Sequence, residues 1–241
     1  MLDSLIMLTL APLLIWQGRA VRQRTPRLPE AAGARRGTLG KGQQLRLLVL
    51  GDSSAAGVGV SQQEEALAGQ LAAHLAVQYH VHWELLAETG ISSGQLLNKL
   101  DAVLGQQFDC AVLAIGVNDV TVRTRDKQWL QHLQRLQERL VSSLQVQHVF
   151  ISGIPPMQHF SALPWPLNAY LGRRARRLNA LTERMASQCA GVTFMPMELD
   201  TQPQMLAADG FHPSQQAYKL WAEQLAQGIQ SLGLKCSSSN S

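Results

Sequence analysis

Four short polar stretches, each containing glycine, hold the residues best suited to chemistry. The first is Gly51-Asp52-Ser53-Ser54, which follows the apolar run Leu47–Leu50. The second is Glu88-Thr89-Gly90-Ile91, the third Gly116-Val117-Asn118-Asp119, and the fourth Asp209-Gly210-Phe211-His212-Pro213. Together they contain the parts of a serine-dependent acyl transfer. A serine hydroxyl is a weak nucleophile at neutral pH and needs a base to take its proton; His212 is the candidate. The imidazole needs an acceptor on its other nitrogen to fix the tautomer and stabilise the imidazolium; Asp209 is the candidate. A tetrahedral intermediate puts negative charge on the former carbonyl oxygen. The N–H groups of Ser53 and Gly90 and the amide of Asn118 are the candidates to meet that charge.

Each stretch alone has a simpler reading. Ser53 could cap a helix or bind an anion, Asn118 could be a turn residue, and His212 could bond locally at a helix start. Phosphate-loop readings of the first stretch fail on inspection. Gly57 and Gly59 begin a G-x-G-x-x-G pattern, but Gln62 stands where the third glycine belongs, and no Gly-Lys-Ser/Thr follows. Asp209-x-x-His212 before a proline resists a local account, because it sets an acid and a base together. Convergence of four separate turns on the parts of one mechanism favours a hydrolase. Ser53 is the first choice of nucleophile and Ser54 the second, since Ser53 directly follows Gly51-Asp52. Asp52 and Asp119 are expected to brace their turns.

Such residues meet only if the intervening elements bring strand ends to one edge of a sheet. Apolar runs predict strands at 47–50, 81–87, 110–115, 146–154 and 192–195. Between them lie helical patterns. Ser61-Gln62-Gln63-Glu64 reads as a capping box opening a helix to about Gln78. Leu96, Leu97, Leu100, Val103 and Leu104 mark the next helix, and residues 126–144 a long amphipathic one. Pro213 fits the first position of a final helix running to about Leu232. The loop 157–167, with Pro164, Trp165 and Pro166, could border a cleft. The arginines at 173, 174, 176 and 177 read as a solvated helix face. Alternating strands and helices imply an α/β fold: about five parallel strands with helices on both faces.

The charge is unevenly placed. Residues 1–44 carry seven basic and two acidic side chains, and the remaining 197 carry 14 basic and 15 acidic. The body is therefore near neutral, which gives a nucleic-acid interface no support. Three cysteines without paired spacing give neither a disulfide framework nor a zinc signature. Residues 5–16, LIMLTLAPLLIW, are too few to span a bilayer and are followed, not preceded, by arginines. That ordering predicts a cytoplasmic domain at the inner face of a membrane in preference to a periplasmic one. The arm 1–24 reads as a membrane-surface anchor or as a segment docked on its own domain. Residues 25–43 read as a linker, 44–234 as the catalytic domain and 235–241 as a polar tail.

Taken in order, the four stretches resemble the sequence blocks of the SGNH/GDSL hydrolases across roughly residues 45–232. The resemblance implies a flavodoxin-like three-layer α/β/α sandwich and hydrolysis of esters or thioesters with no metal or cofactor. It implies Ser53 as nucleophile, His212 as general base and Asp209 as its orienter. Ser53 N–H, Gly90 N–H and the Asn118 side chain would form the oxyanion hole. Ser54 departs from the leucine common after the serine in that family, at a position that varies. The arm and the apolar loop 157–167 point to a lipid ester or thioester. Carbohydrate O-acetyl groups are the alternative substrate, and a non-catalytic lipid- or carbohydrate-binding module the alternative class.

Overall fold

The computed structural model describes residues 2–197 and 203–233. The predicted tail lies outside the described residues. A six-stranded sheet forms the centre: β1 (Arg36–Leu39), β2 (Gln43–Gly51), β3 (Tyr79–Ala87), β4 (Cys110–Ala114), β5 (His148–Ser152) and β6 (Val192–Met195). The order is β1-β3-β2-β4-β5-β6. The strands β2 to β6 run parallel, and β1 is antiparallel to β3 at the edge. The helices are α1 (Leu2–Arg24), α2 (Leu67–Leu75), α3 (Ser93–Lys99), α4 (Val117–Val122), α5 (Asp126–Leu144), α6 (Leu167–Ala186) and α7 (Gln215–Ser231).

Burial explains the sequence pattern. Every residue of β4 is buried, as a central parallel strand covered on both faces requires. In β3 buried and half-buried residues alternate. One core lies on the face covered by α3, α5 and α6 and includes Leu48, Leu50, Leu113, Trp129, Leu133 and Leu178. The other lies under α2 and α7 and includes Val49, Val112, Leu71, Trp221 and Leu225. Two buried indole N–H groups in these cores find acceptors. Trp129 Nε1 donates to Thr182 Oγ1 and Trp221 Nε1 to Ser152 Oγ, both at 2.9 Å.

The chain leaves β2 for β3 on one side and returns past it to β4 on the other. The carboxyl ends of β2 and β4 therefore flank the point where the winding reverses, the place where open α/β sheets form their crevice. There Gly51 pairs with Ala114, and a Cβ on Gly51 would lie 2.1 Å from the Ala114 carbonyl oxygen. Only glycine permits that approach.

Three expectations need correction. Residues 36–39, expected within a linker, form β1, and nearby residues are also tied to the domain. Glu30 accepts from Thr89 N and Oγ1 at 2.7 Å, and Arg35 Nη1 donates to the Ala87 carbonyl at 2.7 Å. β1 is held by backbone pairing, with Arg36, Thr38 and Leu39 exposed, so it carries no apolar period to read. The helix expected from Ser61 is a 3-10 turn, Gln63–Glu65, followed separately by α2. Extended Ala66 (φ −85°, ψ 173°) separates them, and the capping carboxylate is Glu65, not Glu64. The cause is Gln63: its buried amide donates to the carbonyls of Ala31 and Ala56, which pins the turn. Pro213 precedes the N-cap of α7 instead of occupying its first turn; Ser214 is the cap and accepts from Ala217 N.

Helix α1 lies on the domain. Leu14 is buried, and Leu10 and Val21 pack against the same core. Gln17 donates to the Trp165 carbonyl at 2.8 Å and accepts from Leu167 N at 3.2 Å. Leu13, Ile15 and Trp16 face outward. Among the described residues no helix is long and apolar enough to cross a membrane.

Candidate active site

The first component of the site is the turn after β2. Asp52 N donates to the Ala114 carbonyl at 3.2 Å, so the turn begins anchored to β4. Ala56 N bonds the Asp52 carbonyl and Val58 N the Ser53 carbonyl, which closes the turn. Gly57 and Gly59 follow at φ +83° and +112°, in the left-handed region that glycine enters without strain. Buried Asp52 accepts from Ser54 N at 3.1 Å. This holds the Ser54 amide on the carboxylate, while the neighbouring Ser53 is itself largely buried.

The second component is the loop before α7. Asp209 Oδ1 accepts from Phe211 N and His212 N, each at 3.0 Å, so the carboxylate organises its own loop. Its Oδ2 lies 2.6 Å from His212 Nδ1. The far ring nitrogen, Nε2, lies 2.9 Å from Ser53 Oγ. Phe211 meets the His212 ring edge-on at 5.3 Å and Phe160 at 5.0 Å, which limits movement of the imidazole. Asp209, His212 and Ser53 thus form an unbroken chain from carboxylate to hydroxyl. With Nδ1–H on Asp209, Nε2 can accept the serine proton.

The third component is the pair of loops after β3 and β4. Gly90 has φ +87°, and a Cβ there would meet open space. Asn118, expected in a turn, sits in the first turn of the short α4. Its Nδ2 donates to the Ile91 carbonyl at 2.9 Å, which ties it to the loop of Gly90 and leaves its second N–H to point elsewhere. Among the described residues no acceptor meets the N–H of Ser53 or Gly90.

The brace between these two loops was only partly legible. Asp119, expected to bond nearby loops, accepts from Ser93 N at 2.9 Å, Ser93 Oγ at 2.7 Å and Thr124 Oγ1 at 2.9 Å. Ser93 Oγ in turn lies 2.9 Å from His132 Nδ1 on α5. Asp119 and Ser93 are fully buried. Neither Ser93 nor His132 was singled out from sequence. Ser93 is the first residue of α3 after its Ser92 cap, and its contact to α5 is 39 positions away in the chain.

Burial pushes the Asp52 carboxyl up to about 6, opposed by the Ser54 N–H and the nearby His212 ring. Burial also works to raise Asp209. The bonds from the His212 ring and from the N–H groups of His212 and Phe211 outweigh it, and its carboxyl sits below the usual range. Asp209 is therefore ionised where its imidazole partner must be oriented.

A cleft of about 610 Å³ opens beside Gly90 and Asn118. Leu163 and Leu167 form part of its wall, as the loop 157–167 suggested, together with Leu14, Leu171 and Phe211. Among the described residues no cluster of His, Cys, Asp or Glu could hold a metal ion.

With this geometry in view, the comparisons are coherent. The profile of the GDSL-like lipase/acylhydrolase family matches residues 49–220, and the chain belongs to that family, the SGNH/GDSL hydrolases. A GDSL-like esterase of Mycobacterium tuberculosis is 31% identical over 192 residues, 75% of this chain. The match covers 60% of that relative's length. Among solved structures, TesA superposes with a TM-score of 0.62 at 23% identity, over 78% of this chain and 99% of TesA. An acetyl-xylooligosaccharide esterase of Geobacillus gives 0.60 at 16% identity, over 83% of this chain and 100% of its own. These likenesses show the flavodoxin-like α/β fold.

Two stability predictions follow from the site's buried carboxylates. Asp119→Asn replaces charge-assisted bonds from Ser93 N, Ser93 Oγ and Thr124 Oγ1 with neutral ones and forces the hydroxyls to reorient, and it lowers the unfolding free energy by about 1–3 kcal/mol in denaturant titration; a loss under about 0.5 kcal/mol would show that the carboxylate contributes nothing to the brace. For Asp52 the native carboxyl titrates at about 6 against 3.8 for the unconstrained group. Its contribution is fully present below the unfolded value and is lost as pH rises through the folded one. Measured against Asp52→Asn, the wild type should lose about 3 kcal/mol of stability between about pH 4 and about pH 7. A pH-independent difference between the two proteins contradicts this.

Proposed function

We propose that this protein is a serine hydrolase that cleaves a lipid ester or thioester through an acyl-enzyme intermediate. The observation that carries the reading is the 2.9 Å contact between Ser53 Oγ and His212 Nε2, with Asp209 2.6 Å behind the ring. Ser53 Oγ attacks the acyl carbon as its proton passes to His212 Nε2. Asp209 keeps the ring in the tautomer that can accept that proton and stabilises the imidazolium. Charge on the carbonyl oxygen is met by the N–H of Ser53, the N–H of Gly90 and the free amide hydrogen of Asn118. Collapse of the intermediate expels the alkoxide or thiolate, which takes the proton from His212. Water then enters, gives a proton to His212 and attacks the acyl-serine; as the acyl–Oγ bond breaks, His212 returns that proton to Ser53 Oγ and the acid leaves.

The preference for a lipid acyl group rests on the cleft, whose walls carry Leu14, Leu163, Leu167 and Leu171 beside Gly90 and Asn118. A site for acetyl groups alone would not need that apolar length. The outward Leu13 and Trp16 of α1, with Trp165 close behind, support contact with a membrane surface, the membrane being the source of such a substrate.

The test is hydrolysis of p-nitrophenyl esters from acetate to dodecanoate, with the matching acyl-thioesters. Ser53→Ala and His212→Ala should each lower kcat by about 10⁴-fold or more, and Asp209→Asn by about 10³–10⁴-fold. Ser53→Ala at the wild-type rate sinks the nucleophile assignment. The wild-type kcat/KM should rise beyond a four-carbon acyl chain; a maximum at acetate would instead favour an O-acetyl esterase.

A further inference from the structure

The cleft beside the proposed oxyanion hole has a charge that the hydrolase reading does not use. Arg19 and Arg22 of α1 and Arg123 after α4 line it, and no carboxylate does. Four arginines elsewhere are paired: Arg139 with Asp101, Arg177 with Asp126, Arg35 with Glu30 and Arg46 with Asp109. Among the described residues Arg19, Arg22 and Arg123 make no ion pair. Arg123 is also placed deliberately by its surroundings. It takes the left-handed conformation, φ +61°, that ends α4, the helix carrying Asn118. Its guanidinium carbon lies 5.7 Å from the centre of the Tyr170 ring, another wall residue. An arginine stacked on an aromatic face keeps its N–H edge free for an anion.

Two of the three arginines come from outside the region that matches the family. The profile covers residues 49–220, whereas α1 covers Leu2–Arg24. Helix α1 is nevertheless fixed here, through Leu14 and Gln17, and forms one wall of the cleft. The cleft is thus apolar along Leu14, Leu163, Leu167 and Leu171 and cationic at Arg19, Arg22 and Arg123. That is the complement of an amphiphile bearing a negative charge.

On the reading that Ser53 hydrolyses lipid esters, we infer that α1 completes a subsite for an anionic group of the substrate. That group has phosphate or carboxylate chemistry and is held by Arg19, Arg22 and Arg123. The apolar part of the same molecule lies against the leucines, and its acyl carbonyl reaches Gly90 and Asn118. Charge-assisted, fork-shaped bonds from guanidinium to such an oxyanion are the strongest polar contacts the cleft can offer.

The test uses the full chain carrying Ser53→Ala, so that binding is read without turnover. Octyl phosphate and octyl glucoside are compared by calorimetry at low and high salt. Octyl phosphate should bind about tenfold or more tightly than octyl glucoside, with an advantage that fades as sodium chloride rises toward 1 M. Arg123→Gln and the double variant Arg19→Gln/Arg22→Gln should each reduce the advantage to about threefold or less, and Arg123→Lys should keep part of it. Equal affinity for the two probes, or an advantage insensitive to salt, overturns the subsite without recourse to any variant. Sedimentation with phosphatidylglycerol vesicles separates the sources of charge. Capture by these vesicles without binding of octyl phosphate would assign the arginines to a membrane surface and overturn the cleft proposal. Failure of the hydrolase reading shows separately, as ester hydrolysis surviving in Ser53→Ala.

Discussion

The contact between Ser53 Oγ and His212 Nε2 joins residues 159 positions apart, and most of the architecture can be understood as what makes it possible. Neither partner is held by the other. Ser53 is held from β2, whose last residue, Gly51, packs against the Ala114 carbonyl too closely for any side chain. His212 is held from its own loop, where Asp209 accepts two backbone N–H groups and still reaches the ring. Because each partner is fixed locally, their alignment needs no long flexible side chain. That is the condition for a base to act at hydrogen-bond distance without first reorganising.

Opposite this pair, a second buried network governs the candidate oxyanion donors. Asp119 and Ser93 tie the start of α3 to α4, and Asn118 reaches back to Ile91. The loops of Gly90 and Asn118 come from different strands, and the network ties them together. Helix α1 adds a wall that the family region does not contain. Its docking through Leu14 and Gln17 turns an open sheet edge into a cleft with an apolar side and a basic side.

Much of this was legible before any coordinates. Ser53, Gly90, Asn118, Asp209 and His212 each lie at a polar turn that ends an apolar run or precedes a helix, and the structure brings these turns to the same edge of the sheet. The parallel order of β2 to β6 followed from strand and helix alternation, since short connections and right-handed crossovers leave few alternatives. What escaped was held by backbone or by distant polar contacts. Strand β1 has no apolar period because its side chains face water. The break between Gln63 and α2 depends on an amide reaching Ala31, 32 positions away. Ser93 escaped notice because a sequence window cannot show His132, 39 positions away on α5. The arm 1–24 left two readings open because an apolar run looks alike whether it meets lipid or protein.

The central claim is that Ser53, made reactive by His212, is the residue that carries the acyl group. Mass spectrometry of the native protein after treatment with a fluorophosphonate tests it most directly. The account predicts one phosphonyl adduct, on Ser53, that forms in the wild type and is abolished in His212→Ala. An adduct on Ser54, or labelling of Ser53 that persists undiminished without His212, would contradict it.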